Sequence, residues 1–380
     1  MPDKSSFDKR ALTAHKKLGG KIAISLKDTL DEPDKLSTYY TPGVATVSSL
    51  LAQHKEKTRD YTWTNNSVAV ISDGSAVLGL GNIGPEGALP VMEGKAMLFK
   101  HFAYIDAVPI VLDVHSKEDI VATAAAIAPS FGGINLEDIA APLCFDVEEE
   151  LKTRLSIPVF HDDQHGTAVV VLAGLINAMK LRGSRLDQSK VVIVGAGAAG
   201  IAIARLLNAY GAKDIVLVDS KGIVEKNRTD LNPHKQLVAD FNTSGISGSL
   251  EDALVGADIF IGVSQPGLLS TKMIKTMASD PVIFAMANPV PEILPDEAKA
   301  AGVRIMATGR SDFPNQVNNA VCFPGIFRGA LDNKVRDITD EHKIKAAEVI
   351  ASLIGKPTPD KIIPTVLDAR TVSVIADVIR

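Results

Sequence analysis

A glycine-rich turn between a β-rich run and a helix constrains this sequence more than any other feature. Residues 190–200 read KVVIVGAGAAG and continue into IAIARLLNAYGA, whose apolar residues have helical spacing. In such a triplet the first glycine allows a tight turn, the second lets backbone approach a pyrophosphate, and the third lets helix and strand pack closely. The dinucleotide contacts predicted by this pattern are Gly195, Gly197, Ala198, Ala199 and Gly200.

An acidic residue at the end of the next β-rich run strengthens this interpretation. Asp219 lies 19 residues after Gly200, where an acid that binds a ribose 2′-hydroxyl is expected. Its charge would repel a 2′-phosphate and favours NAD, whereas Lys221 and Arg228 follow closely and are able to neutralise one. NAD is therefore the preferred cofactor and NADP stays open. The alternative is a glycine-rich turn in an unliganded α/β protein.

The rest of the chain has an α/β pattern that is long enough for two domains. Its 380 residues are 46% hydrophobic, which is sufficient for two cores. Helical segments such as 167–180 separate β-rich runs at 67–72, 107–114, 157–160, 190–194, 215–218, 259–263, 282–287 and 304–307. We expect an N-terminal α/β domain at 1–150 and, at 151–380, a Rossmann-like domain with a doubly wound parallel sheet. The segment 340–380 predicts two further helices.

Composition excludes several classes of function. A net charge of −5 provides no basic field for nucleic acid. Cys144 and Cys322 are too few for a disulfide framework or a thiolate zinc site, which favours a reducing cytoplasm. The polar N-terminus has no apolar signal core, and the longest uncharged run, 120–136, contains proline and glycines and is a poor membrane helix.

Two pairs of acids follow β-rich runs. Glu137 and Asp138 end one run, and Asp162 and Asp163 end another. Carboxylates at strand ends can converge where an open α/β sheet binds ligands, and such oxygen ligands suit Mg²⁺ or Mn²⁺. Solvated loops are the alternative for each pair, and Asp163 is also a candidate helix cap.

Histidines flank the second acid pair and raise the question of a zinc site. His161 and His165 lack the glutamate spacing of a zinc-protease helix, and no thiolate is near. We therefore expect these two histidines to orient neighbouring groups.

A lysine, a tyrosine and an asparagine are candidates for proton transfer and binding. Lys95 lies in an apolar helical segment, where burial would lower its pKa and let it act as a base, although a surface cation is the alternative. Tyr39 and Tyr40 precede a helix expected after Pro42. Asn288 follows a β-rich run, where its amide is able to contact a nicotinamide or simply form a turn before proline.

These motifs together resemble the malic enzymes of the short bacterial type. YTPGVA, SDGSAVLGLGNIGPEGALPVMEGKA, LEDI, VFHDDQHGTA, GAGAAG, ANPVPE and NQVNNAVCFPG occur in the order of that family, over about residues 15–380. The resemblance implies oxidative decarboxylation of (S)-malate to pyruvate and CO₂ with reduction of NAD(P)⁺, a divalent metal and a homodimer. Oxaloacetate decarboxylation is expected as well.

The resemblance also implies roles for individual residues. Tyr40 is similar to the family's general acid, and Lys95 to its general base. The implied metal ligands are Glu137, Asp138 and Asp163, with Asp162 beside them, and the implied substrate and cofactor contacts are Asn288 and Asn319. Ala76 stands where larger malic enzymes carry a carboxylate-binding arginine, so other donors must bind the substrate carboxylate.

Three alternative functions stay open at this point. A metal-independent hydroxy-acid or amino-acid dehydrogenase would keep its activity in EDTA. A catalytically silent NAD sensor would bind NAD without turning over malate. Malolactic conversion of malate to lactate would release no free NADH.

Overall fold

The computed structural model describes residues 4–77 and 79–380 as an α/β structure with two sheets. The first sheet is parallel, with strand order β2-β1-β3-β4. Its strands are β1 (Ser67–Ser72), β2 (Asp106–Val111), β3 (Gly133–Leu136) and β4 (Val159–His161). The inner strands β1 and β3 and the edge strand β4 are fully buried, as expected for strands covered by helices on both faces.

The second sheet has the doubly wound arrangement predicted by the glycine fingerprint. Its order is β10-β9-β8-β5-β6-β7, all parallel except the short β7, which pairs antiparallel with β6. Its strands are β5 (Lys190–Val194), β6 (Asp214–Asp219), β7 (Gly222–Ile223), β8 (Ile259–Gly262), β9 (Val282–Ala285) and β10 (Ile305–Thr308). Strand order reverses between β5 and β8, which is where such sheets bind ligands.

Helices cover both sheets. They are α1 (Lys4–Leu18), α2 (Pro33–Tyr39), α3 (Val44–Gln53), α4 (Thr58–Tyr61), α5 (Gly84–Ala103), α6 (Lys117–Ile127), α7 (Leu143–Arg154), α8 (Asp162–Arg182), α9 (Ala198–Tyr210), α10 (Pro233–Ala239), α11 (Leu250–Leu254), α12 (Thr271–Ile274), α13 (Pro295–Ala300), α14 (Phe323–Asp332), α15 (Asp340–Ser352) and α16 (Arg370–Ala376). In the described ranges, no helix combines the length and apolar character needed to cross a membrane.

Two helices join the sheets. The long α8 begins directly after β4 and leads to the second sheet. In α14, Phe323 and Phe327 pack edge-on against Phe99 of α5, with ring centroids 4.7 and 5.2 Å apart. The C-terminal part of the chain thus returns to the first sheet. The expected boundary at residue 150 falls inside α7, and β4 beyond it still belongs to the first sheet.

The N-terminal segment is unlike the rest of the chain because α2 and α3 bury none of their residues. Large apolar side chains exposed between α1 and the start of α3 are Phe7, Leu12, Leu18, Ile22, Ile24, Leu26, Leu30, Leu36, Tyr39, Tyr40 and Val44. A stretch of exposed apolar residues of this extent is typical of an interaction surface.

Candidate active site

The register of β3 and β4 brings the two acid pairs together. Leu136 pairs with His161, so the residues that follow them, Glu137 and Asp162, leave the sheet side by side. The backbone N–H of Asp138 donates to Asp163 Oδ2 at 2.8 Å, which ties the two pairs together. The predicted convergence of the carboxylates at strand ends is therefore present.

Lys95 enters this acidic cluster from α5. Its side chain is 8% exposed, and its Nζ lies 2.8 Å from Glu137 Oε1 and forms a second ion pair with Asp162. The ring of Phe323 lies below the ammonium, with the centroid 4.1 Å from Nζ. Lys95 is thus a buried cation between carboxylates, and the surface alternative is wrong.

The expected lowering of the Lys95 pKa is also wrong in this arrangement. Burial does act to lower this pKa, but the negative charges of Asp162 and Glu137 outweigh it and hold the pKa above its ordinary value. Spacing along the chain could not reveal these partners, which belong to other elements. The lysine is therefore an ammonium in the absence of a competing cation.

The two aspartates at the start of α8 are both buried but differ in their contacts. Burial raises the pKa of each to about 6. Asp163 lies inside the first turn of α8 rather than at its cap position, which His161 occupies. Asp162 Oδ1 is buried without a hydrogen bond, and a Cβ atom on Gly166 would overlap it. The glycine in HDDQHGTA therefore makes room for a carboxylate oxygen.

The donor set fits a hard divalent cation. Glu137 and Asp138 follow β3 and Asp163 lies in the first turn after β4, so all three acids are at one edge of the first sheet. Mg²⁺ and Mn²⁺ prefer such carboxylate ligands. Asn135 Nδ2 donates to Glu137 Oε2 at 2.8 Å and orients that carboxylate. Within residues 4–77 and 79–380, no three acidic, histidine or cysteine side chains already surround a common point as metal ligands do. Lys95 instead balances the charge of Glu137 and Asp162.

The histidines differ in their contacts. His165 Nε2 lies 2.8 Å from Glu148 Oε2, so the expectation that it orients a neighbouring group is confirmed. His161 is buried, and neither of its ring nitrogens makes a hydrogen bond. Glu148 is a buried carboxylate that sequence analysis did not single out.

The glycine fingerprint has the geometry that its sequence predicts. Gly195 has φ +111°, and α9 begins at Ala198 after Gly197. A Cβ on Gly200 would overlap the carbonyl oxygen of Gly195, whereas one on Gly197 would meet no protein atom within 4 Å. The third glycine thus serves helix packing, and the second leaves open space at the helix N-terminus, an arrangement that suits a pyrophosphate.

Asp219 ends β6 as predicted, but its carboxylate already has several donors. Arg228 donates to both oxygens at 2.8 and 3.1 Å, and Lys235 Nζ donates at 2.7 Å. Burial opposes ionisation, yet these hydrogen bonds lower the pKa of Asp219 to about 2. Lys221 offers only its backbone N–H and directs its ammonium to Asp230. Lys235 was not predicted, because it belongs to α10.

Loops after β8, β9 and β10 meet near Asn288. Glu292 is buried and accepts the backbone N–H groups of Ser264 at 3.0 Å and Ala287 at 3.1 Å, so it fixes two of these loops. Arg310 Nη1 donates to the carbonyl of Pro289 at 2.7 Å and is a cation beside Asn288 that sequence analysis missed. The side chain of Asn319 lies near Gly166, close to Asp162.

The loop that carries Ala76 is attached to the acidic segment through its backbone and a serine. The N–H of Ala76 donates to the Asp138 carbonyl at 2.9 Å, and Ser75 Oγ accepts the N–H of Ala140 at 2.9 Å. Ala76 thus supports the backbone of Asp138, which is predicted from the sequence to be a metal ligand.

The two tyrosines differ in their contacts. The Tyr39 hydroxyl donates to Asp28 at 2.7 Å, and this hydrogen bond raises the Tyr39 pKa. Tyr40 is about two-thirds exposed, at 67%, and its hydroxyl forms no hydrogen bond with any described residue. The expectation that α3 begins after Pro42 is confirmed. Within one chain, however, no hydrogen bond joins Tyr40 to Lys95.

Comparison with known proteins identifies the family. A family model described as malic enzyme, NAD binding domain matches residues 164–379, and one described as malic enzyme, N-terminal domain matches residues 19–121. This chain belongs to the malic enzyme family. The first of these matches includes the fingerprint, Asn288 and Asn319, and the second includes Tyr40 and Lys95.

Individual malic enzymes are similar over most of their length. The NAD-dependent malic enzyme of Geobacillus stearothermophilus is 54% identical over 93% of this chain and 75% of its own length. The bifunctional malic/malolactic enzyme of Bacillus subtilis is 53% identical over 98% of this chain and 92% of its own. The crystal structure of the NAD-dependent malic enzyme from Thermotoga maritima superposes with a TM-score of 0.94 at 51% identity, covering 97% of this chain and 98% of that one.

Proposed function

We propose that this chain oxidises and decarboxylates (S)-malate to pyruvate and CO₂ while reducing NAD(P)⁺. The observation that carries this conclusion is Lys95, buried at the strand ends between Glu137 and Asp162 with the charge of Asp163 nearby. This site combines a proton-transfer group with hard oxygen ligands in a malic enzyme fold. Malate-dependent formation of NADH together with pyruvate, measured with and without a chelator, tests the proposal.

The proposed ligands of a divalent cation are Glu137, Asp138 and Asp163. When bound, Mg²⁺ or Mn²⁺ would act as a Lewis acid on substrate oxygens and offset part of the carboxylate charge. Asp162 is proposed to stay paired with Lys95 and to orient it.

Two residues are proposed to move protons. Lys95 takes the proton of the malate C2 hydroxyl. For this step the Lys95 pKa must be lower than in the metal-free arrangement, where Asp162 and Glu137 raise it. The hydride of C2 passes to NAD(P)⁺ and CO₂ leaves from C4, and Tyr40 then donates a proton to C3 of the resulting pyruvate enolate. General acid–base groups of this kind typically contribute about 10²- to 10⁴-fold in rate each. Asn288 and Asn319 are proposed to bind the substrate and the cofactor through their side-chain amides.

The proposed assembly is a homodimer in which Tyr40 of one protomer approaches Lys95 of its partner. The exposed Tyr40 and the apolar surface of α1–α3 support this arrangement, because burying that surface against a second copy would remove it from water. The two free, buried cysteines, Cys144 and Cys322, suit the proposed cytoplasmic setting.

NAD is the proposed cofactor. Asp219 is ionised at the end of β6 and is proposed to accept a ribose 2′-hydroxyl. Arg228 and Lys235 already form ion pairs with its carboxylate. A 2′-phosphate would have to compete with that carboxylate for both cations. Comparing kcat/KM for NAD and NADP tests this preference.

Malolactic conversion is the second candidate, because the similar enzyme of Bacillus subtilis is bifunctional. Lactate formation from malate without free NADH would favour it over oxidative decarboxylation.

A further inference from the structure

A buried glutamate on α7 holds the turn that carries Asp162 and Asp163. Glu148 is 5% exposed. Its Oε1 accepts the backbone N–H of His161 at 3.0 Å, and its Oε2 accepts Nε2 of His165 at 2.8 Å and Nε2 of Gln164 at 3.3 Å. One carboxylate therefore binds the last residue of β4 and the first turn of α8. The two aspartates lie between these attachment points.

The charges around Glu148 keep it an acceptor. Burial acts to raise its pKa, but His165 and Lys152 outweigh burial and hold the pKa well below its usual range. His165 Nε2 faces an ionised carboxylate, which only accepts hydrogen bonds, so His165 donates to Glu148 through Nε2–H. Lys152 Nζ lies 2.9 Å from Glu148 Oε1 and balances the carboxylate charge.

This contact has no role in the proposed chemistry itself. Glu148 lies on the side of the β4–α8 turn that faces a pocket of about 1040 Å³, which is also lined by Lys152, Gln164 and His165. Water from this pocket is able to replace a lost hydrogen bond, so changing Glu148 need not create a dry cavity. A substitution of Glu148 should therefore change mainly the orientation of the β4–α8 turn.

We propose that Glu148 is a positioning residue that sets the orientation of Asp162 and Asp163, and thereby the affinity of the acidic cluster for a divalent cation. This role rests on the proposed function. Groups that orient metal ligands typically change metal affinity by about 10- to 100-fold when they are replaced.

The direct test is Mn²⁺ binding to the full-length protein, followed by electron paramagnetic resonance of free Mn²⁺. In Glu148→Gln the new side chain has a single acceptor oxygen, although donors face both ends of the present carboxylate. The NH₂ group of the glutamine must then face another hydrogen-bond donor, which disturbs the turn. We expect the Mn²⁺ Kd to rise about 10- to 100-fold. The exposed neighbour Glu149 provides the matched control, and Glu149→Gln should leave the Kd unchanged.

A second pair of variants keeps the test independent of how Glu148→Gln folds. His165→Gln retains an N–H donor toward Glu148 and should bind Mn²⁺ like the wild type, whereas His165→Leu should bind it more weakly. NAD binding, measured by fluorescence, should be the same in all variants, and saturating Mn²⁺ should restore most of kcat.

Two results would overturn the role of Glu148. One is an unchanged Mn²⁺ Kd in folded Glu148→Gln, and the other is an equal Kd in His165→Gln and His165→Leu. Either result leaves the proposed function standing if the wild type binds Mn²⁺ and turns over malate. A wild type that binds no Mn²⁺ would instead overturn the metal site, and the role of Glu148 with it.

Discussion

The Lys95 ammonium lies against the Asp162 carboxylate at the start of α8, and both side chains are buried. This ion pair connects α5 of the first domain to the helix that leads into the nucleotide domain. It also explains why the Lys95 pKa is raised rather than lowered, because the carboxylate charge outweighs burial.

Removing the lysine tests its role in proton transfer. Lys95→Ala should lower kcat for malate oxidation by about 10²- to 10⁴-fold, because the hydroxyl proton would have no acceptor. Lys100→Ala, on the exposed side of the same helix, is the control and should retain activity. Malate oxidation at near-normal rate by a folded Lys95→Ala protein would remove Lys95 from this role.

Complementation tests whether two protomers share a site. Lys95→Ala and Tyr40→Phe homodimers should each be impaired, and subunits mixed and reassembled from both should recover about a quarter of wild-type activity. The reason is that half of the dimers would be heterodimers, each with one intact site of two. If Tyr40 and Lys95 act within one protomer, mixing would recover nothing.

A single methyl group tests the space beside Asp162. Gly166→Ala places a Cβ where Asp162 Oδ1 lies, so the carboxylate has to move. We expect kcat/KM to fall about 10²-fold from misplacement of the site. Alanine favours a helix interior by about 1 kcal/mol over glycine, so the loss of activity should not reflect a weaker helix. Circular dichroism and thermal melts would separate the two effects, and full activity would contradict the account.

The Asp219 cluster predicts a pH-dependent contribution to stability. Arg228 and Lys235 depress the folded-state pKa to about 2, below the unfolded value, so the stabilisation is present near neutral pH and is lost as pH falls toward 2. Asp219→Asn should therefore destabilise the protein at pH 7, by a difference that shrinks below about pH 4. Urea midpoints across this pH range measure the effect, and a difference that stays constant down to pH 3 would contradict it.

Local patterns predicted much of the fold. The ends of β1 and β5 match the predicted runs, and the glycine triplet gives the predicted turn and helix start, because these features depend on neighbours in the chain. The acidic cluster was also predictable, since parallel strands end at one edge of a sheet. The direction of the Lys95 pKa was not, because it depends on carboxylates from β3 and α8.

Other features of the site arise from contacts between distant segments. Phe323 reaches Lys95 only because α14 packs back on α5, and Lys235 reaches Asp219 from α10. Glu148 and Glu292 act on backbone N–H groups, and a lone glutamate in a sequence gives no sign of such bonds. For Tyr40, the sequence supplies a role only by resemblance, and the proposal that a second protomer completes its surroundings depends on assembly rather than on the fold of one chain.

The most direct measurement is turnover of (S)-malate by the purified protein with NAD, in the presence of Mn²⁺ or of EDTA, with NADH and pyruvate quantified together. We predict equal amounts of NADH and pyruvate with Mn²⁺ and loss of both in EDTA, because Glu137, Asp138 and Asp163 are the proposed metal ligands. Formation of lactate without free NADH, or unchanged turnover in EDTA, would contradict the account.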